Sequence, residues 1–385
     1  MKRRWKTLTI FAYRTRHLVA GVETRLEMGR LVRFAILVQR QDYNPVVHWL
    51  ALITAAATFP LIFMGGLVTS HQAGMSVPDW PNSWGYNMFT FPPSKWVGGI
   101  LFEHTHRLAG AGVGFLTILL VIAAWASDRR RWVRWTAVAV LLAVCVQGTI
   151  GGLRVVLSKR DLAIVHGIAA QLFFCFIAAF CVMTSRFWAE RQNIEPSPAV
   201  RHILRLSALT VAIILGQLIV GAVMRHSDAG LAIPDFPTSY GRLLPPTHID
   251  AAFRQEAIHR FGADLGLSRV TLFQIWIHFA HRIGALLVTI SVIALAATIL
   301  LRLRNQPKFA APAFAVLALL AIQVTLGILT VLMRKPADIA SAHVAVGALL
   351  LMTTWVIAMR AIGVVWRAEP HDRAKADFQY AAVNE

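Results

Sequence analysis

The sequence predicts an all-α integral membrane protein: eight transmembrane helices forming two tandem four-helix bundles related by a pseudo-twofold axis along the membrane normal. Three observations predict it. Of the 385 residues, 57% are hydrophobic and 15% charged, against about 45–50% and about 25% in soluble domains. The apolar residues gather in charge-poor stretches close to the roughly 20 residues that span a bilayer. The chain also repeats itself, so that the last four stretches echo the first four.

By hydropathy the spans are 46–69, 98–126, 133–153, 162–184, 204–224, 272–301, 310–333 and 338–361. Basic residues concentrate in alternate connections: Arg129, Arg130, Arg131 and Arg134, then Arg186, Arg191, Arg201 and Arg205, then Arg302, Arg304 and Lys308. With the first span leaving the cytoplasm, these connections, the basic N-terminus and Arg367, Arg373 and Lys375 all face inward, as the positive-inside rule requires. Both termini are then cytoplasmic, in a bacterial inner membrane or, alternatively, the mitochondrial inner membrane. The net charge of +19 is therefore a topology signal and points to no nucleic-acid partner.

The domain layout follows. Residues 1–45 carry ten Lys+Arg against three acidic residues and lack the apolar core and cleavage site of a signal peptide. They read as a basic cytoplasmic extension suited to anionic lipid. Residues 46–184 form the first half, 185–203 a cytoplasmic linker, 204–361 the second half and 362–385 a cytoplasmic tail. Cys145, Cys175 and Cys181 all lie in apolar segments, away from any water-exposed loop where a disulfide would form.

The repeat is explicit. GGLVTSHQAGMSVPDWPNSWG at 65–85 returns as GAVMRHSDAGLAIPDFPTSYG, 156 residues later. Glu103-His-Thr-His106-Arg107 is answered by His278-Phe-Ala-His281-Arg282, Gln147-Gly-Thr-Ile-Gly151 by Gln323-Val-Thr-Leu-Gly327, and His166 by His343. An even number of spans per half gives both halves one orientation, which sets the axis along the membrane normal. The second outer loop is longer, and Ile249, Ala252, Phe253, Ile258 and Phe261 fall there at near-helical spacing. A short surface helix covering the second half is expected.

Ionisable residues inside spans are costly unless paired or functional. His106 and His166 lie just inside the outer ends of the second and fourth spans, and His281 and His343 repeat that placement. One such histidine reads as a packing residue; two pairs at matching depth and separation read as two bis-histidine haem sites, one per half. Zinc fits less well, since no cysteine or second carboxylate stands beside them at ligand spacing. Arg107 and Arg282 follow the first ligand of each half, placed to fork onto a haem propionate or to snorkel to lipid headgroups. Gly110 and Gly284 would let a porphyrin face approach the backbone. Glu103 shares a helix face with His106 and is the candidate for proton transfer, whereas its counterpart is His278. The first half is thus the candidate reactive site and the second an electron-transfer site. His278 remains an alternative ligand, while His104 points elsewhere. Asp79 and Asp235 are expected to cap turns in stiff outer loops, and Trp80, Trp84 and Trp96 to act as lids or an interfacial belt.

On these residues the chain resembles the heme A synthase family. The resemblance runs over about 46–361, through the eight-span duplicated layout, PDWP at 78–81, EHTHR at 103–107, HFAHR at 278–282, and His166 and His343. It implies oxidation of the C8 methyl of haem O to the formyl group of haem A, by successive hydroxylations and loss of water. It further implies that His106 and His166 hold or face the substrate haem, that His281 and His343 ligate haem b, and that Glu103 is the reactive-site glutamate. Some members carry a cysteine pair in an outer loop; here that region reads Asn82-Ser83-Trp84, which puts a thiol-dependent step in doubt. Haem O synthase, an electron acceptor such as a quinone, membrane lipid and a second copy of the chain are the partners to be expected. The alternative reading is a dihaem b-type electron-transfer cytochrome, which needs equivalent halves. A parallel-repeat transporter would instead put its polar residues near the bilayer midplane.

Overall fold

The structure, a computed structural model, describes residues 43–189, 194 and 196–383. The expectation for the basic extension therefore lies almost wholly outside the described residues, and side chains beyond 365 are likewise outside them. Eight long helices account for most of the rest: α1 Pro45–Ser70, α2 Gly99–Ser127, α3 Arg131–Val156, α4 Arg160–Thr184, α5 Pro198–His226, α6 Leu272–Arg302, α7 Pro307–Leu332 and α8 Ala337–Val383. Each contains a span long and apolar enough to cross a membrane. The chain is a multi-pass membrane protein, and helices are the form that satisfies the backbone within one segment in lipid.

Local chemistry sets several helix starts. Ser197 caps α5 by accepting from the Val200 N–H, with Pro198 at the first helical position. Thr271 and Gln274 form a reciprocal capping box at the head of α6. α8 departs from expectation at its far end, because the helix continues to Val383 where an end near 361 was read. Hydropathy stops at the first charges after Val365, but backbone hydrogen bonding does not.

Two apolar cores form. One joins Val47, Ala51 and Ile62 of α1 to Val113 and Leu120 of α2, Val133 and Val140 of α3, and Phe173, Ile177 and Phe180 of α4. The other joins Ile203 and Ile214 of α5 to Val292 and Leu295 of α6, Phe309 and Val316 of α7, and Leu350 and Ile357 of α8. In the second group the helices pack as a ring, α5 on α6, α6 on α7, α7 on α8 and α8 on α5. α4 packs on both α5 and α8, and Ala348 of α8 enters the first core. Large apolar side chains such as Trp49, Phe115, Leu142, Leu209 and Leu286 stay exposed on the outside, as lipid-facing surface would.

Two outer loops, 71–98 and 227–271, close over one end of the helices. Each makes the same isolated bridge, Ser83 with Tyr86 and Ser239 with Arg242, and each contains a cis proline, at Trp80–Pro81 and Phe236–Pro237. The expected surface helix is Ala251–Phe261, capped by Asp250. It packs Phe253, Ala257, Ile258 and Phe261 over Tyr240, Ile233 and Leu267. Ala252 is exposed and Ala257 takes the buried place, a shift that follows from where the cap fixes the helix.

A paired-histidine cavity

The four repeat histidines meet as two pairs. His106 of α2 faces His166 of α4 with ring centroids 6.5 Å apart, and His281 of α6 faces His343 of α8 at 6.3 Å. All four line a cavity of about 760 Å³ that runs across both halves, within the size range of pockets that enclose small molecules and cofactors. Every ring is seated on a glycine of another helix. A Cβ placed on Gly65, Gly151, Gly221 or Gly327 would lie 3.1, 2.8, 2.9 and 3.0 Å from Cε1 of His106, His166, His281 and His343 respectively. Any larger residue would push the imidazole off its place.

The ring nitrogens show whether a metal-bearing macrocycle fits. His343 directs Nδ1 at the Gln323 carbonyl, 3.1 Å away, so Nδ1 carries the proton and Nε2 keeps its lone pair, which is the tautomer a metal ligand needs. His106 and His166 turn toward the carbonyls of Leu61 and Gln147, without closing a well-formed bond at Nδ1. His281 Nδ1 meets the amide of Gln217 at 3.0 Å. With metal–imidazole bonds of about 2 Å and ring centres roughly 1 Å behind the nitrogen, two axial ligands put their centroids roughly 6 Å apart. The ring spacing and the cavity fit haem in both halves; His343 shows the ligand tautomer, whereas the Gln217 amide nitrogen that faces His281 Nδ1 would have to turn away for that ring to offer Nε2 to a metal.

The two arginines that follow the ligands have a different set of partners from the one expected. Arg107 donates Nη1 to the carbonyls of Asp79 and Asn82, at 2.6 and 3.0 Å. Its Nη2 donates to the Val77 carbonyl at 2.7 Å and to Glu103 Oε1 at 2.9 Å. Arg282 likewise donates to the carbonyls of Thr238, Ile233 and Asp235. Both guanidiniums therefore clamp the outer loops. The four terminal N–H groups of Arg107 are all occupied, so the fork expected for a propionate is closed there.

Glu103 is buried at 3% exposure and reaches the cavity wall. Its Oε2 accepts from the Val77 N–H at 2.9 Å, while Oε1 is the Arg107 partner. His278 does the equivalent work in the second half, accepting at Nδ1 from the Ile233 N–H, at the position matching Val77. His278 thus uses Nδ1 on a loop amide, although it too lines the cavity. His104 is fully buried, bonded to Ser83 and packed between Phe91 and Trp96, a structural histidine.

The loops themselves match closely. Asp79 accepts from the N–H groups of Trp84 and Gly85, and Asp235 from those of Tyr240 and Gly241, all at 2.7 Å. Desolvation pushes the Asp79 carboxyl up, but these amides and the Arg107 charge outweigh it and hold it below the ordinary carboxylate range. Asp235 is also held low against desolvation, by Thr238 and the two amides. Trp84 donates its indole N–H to the Ser76 carbonyl, and the Tyr240 hydroxyl reaches the matching carbonyl of Ala232. Burial and the nearby Asp235 charge push the Tyr240 phenol up. Trp80 lies with one face against Gly152 at the cavity wall and Trp96 packs on His104, while Trp80 and Trp84 both keep exposed surface.

Gly110 opens onto empty cavity as expected, but the space over Gly284 is filled by the Gln217 side chain. As site residues, the four seat glycines, the four glutamines Gln147, Gln171, Gln217 and Gln323, and two cavity arginines, Arg154 and Arg225, were not singled out from the sequence. The glycines were legible, since Gly65 and Gly221 open the first repeat motif and Gly151 and Gly327 close the third. The arginines had no such signal, as neither recurs in the other half.

Comparison with known proteins agrees with this geometry. A family model described as cytochrome oxidase assembly protein, COX15-CtaA, matches residues 48–355. The chain is 26% identical over 332 residues to the heme A synthase of Shewanella oneidensis, covering 79% of this chain and 93% of that protein. It is 26% identical over 375 residues to that of Nitrosospira multiformis, covering 85% and 98%. It is 25% identical over 301 residues to that of Geobacillus kaustophilus, covering 77% and 86%.

Proposed function

The chain belongs to the COX15-CtaA family of cytochrome oxidase assembly proteins, and from that premise we propose that it is a haem A synthase of the inner membrane, oxidising the C8 methyl of haem O to a formyl group. The observation that carries the reading is the pair of facing histidine pairs in one cavity, each ring held on a glycine. His106 and His166 hold the substrate haem O, and His281 and His343 hold haem b. When bound, haem b supplies the one-electron chemistry that side chains lack.

The remaining work falls to the chain. Glu103 is the carboxylate at the wall of the first site and accepts or delivers the proton there. Val77 and Arg107 fix both its oxygens, so its place is set before substrate arrives. The two loops, pinned by Arg107 and Arg282, keep water from the outer ends of the bundles. Both termini are cytoplasmic, haem O synthase supplies the substrate and a quinone-type acceptor takes the electrons.

Extraction and chromatography of the haems from protein expressed with a source of haem O test this. Haem b together with haem O, haem A or a hydroxylated intermediate is the expected result; haem b alone would overturn it. The near-equal spacing of the two pairs favours a second reading, a dihaem b-type electron-transfer cytochrome, for which haem b alone is the outcome.

A further inference from the structure

Three further cations line the cavity without forming an ion pair among the described residues, although the Glu103 charge also bears on Arg154. Among its lining residues Glu103 is the single acid, and its ion-pair partner is Arg107. Arg154 of α3 donates one hydrogen bond, from Nη2 to the Gly74 carbonyl at 2.9 Å. A Cβ on Gly74 would stand 1.9 Å from that nitrogen, so the glycine of the repeated Ala-Gly motif is what admits the guanidinium. Arg225 of α5 donates Nη2 to the Gly66 carbonyl and to Ser70 Oγ, at 2.7 and 2.6 Å. Its Nη1 and Nε make no hydrogen bond among the described residues. Lys335 lays its side chain over Gly230, the matching motif glycine, with Cδ 3.4 Å from a Cβ built there.

Neither arginine is required by the repeated bundle, whereas Lys335 is matched by Lys159. The position matching Arg154 is Thr330, and the one matching Arg225 is Thr69, so the same helices pack without them. A cation held at membrane depth without an anion is unfavourable, and an oxyanion in the cavity removes that penalty. Arg154 stands near enough to His106 and His166 for its charge to bear on both. Arg225 stands in the same relation to His343. Each histidine pair thus has its own arginine with donors left over, whereas Arg107 has all four terminal N–H groups taken by the loop and Glu103.

We propose that Arg154 in the first half, and Arg225 with Lys335 in the second, bind the carboxylate side chains of the macrocycles held by the histidine pairs. This rests on the haem reading above. A lipid phosphate offers similar oxyanion chemistry, so the test separates the two sources.

The purified protein in detergent is titrated with ferric haem and with its dimethyl ester, which keeps the iron and lacks the charges, following the Soret band. Binding of the free acid at least about tenfold tighter than the ester is expected, the worth of one charge-assisted hydrogen bond. Arg154→Gln and Arg225→Gln should each reduce that preference and leave ester affinity unchanged, while Arg154→Lys restores part of it. A preference that survives in the double Gln variant would overturn the proposal, as would an equal loss for acid and ester. Loss of the preference on adding phosphatidylglycerol, but not a neutral lipid, would assign the cations to lipid and overturn it too. Equal binding of both forms by the unaltered protein sinks this proposal alone, whereas binding of neither sinks the haem reading with it.

Discussion

Glu103 and His278 occupy matching places and accept hydrogen bonds from matching loop amides, those of Val77 and Ile233, yet only the carboxylate also pairs with an arginine. The difference decides how Glu103 should be tested. Glu103→Gln keeps an acceptor for the Val77 N–H and removes the proton-carrying group. It should retain haem and lower haem A formation by about 10²-fold, the low end of general acid–base effects. Unchanged formation, read by haem extraction, would reduce Glu103 to a loop clamp like His278. The seat glycines make a second residue-scale test. Gly151→Val puts carbon into the space of the His166 ring and should empty the first site while the second keeps its haem. The crowding costs about 1–3 kcal/mol, and the matching Gly327→Val should do the reverse. Loss of both haems in either variant would mean that the sites are not independent.

At the scale of elements, the outer loops are held by few but well-formed interactions. Asp235 takes two backbone amides and the Thr238 hydroxyl, and its carboxyl lies below its ordinary value of 3.8. A carboxyl lowered in the folded state adds stability that is complete above the ordinary value and lost as pH falls through the lowered one. Asp235→Asn should therefore melt earlier than the native protein at pH 7, by about 1 kcal/mol for each weakened amide bond. The gap should narrow below pH about 3.8; a gap independent of pH, in thermal melts between pH 3 and 7, would count against the charged cap. The surface helix Ala251–Phe261 packs over Tyr240, stacking Phe253 and Phe261 around its ring. The equivalent Trp84 has no such cover.

For the whole molecule, the charge of the connections makes a topology that can be measured. Reporters active only outside the cytoplasm should work when fused near residues 85 and 245, and stay silent near 130 and 305. The opposite pattern would invert the proposed membrane orientation. Much of the architecture was legible because it rests on local composition. Span lengths follow from hydropathy and the four histidines from a repeat that two stretches of sequence carry openly, whereas α5 begins at Pro198, inside the stretch 185–203 read as linker, because the Ser197 cap rather than hydropathy sets its start. Asp79 and Asp235 were also readable as turn caps, since Asx chemistry acts over a few residues. What the sequence by itself determined was therefore the number of spans, the duplicated layout and which four histidines meet in pairs. Tertiary structure alone decided which oxygens each arginine meets. Arg107 and Arg282 are claimed by loop carbonyls some 30 to 50 residues away in sequence, Gln217 fills the space over Gly284, and Arg154 and Arg225 reach the cavity from unrelated repeat positions. A guanidinium on a long flexible stem takes the nearest acceptors that packing brings within about 3 Å, and hydropathy and periodicity record the helix face but not that distance.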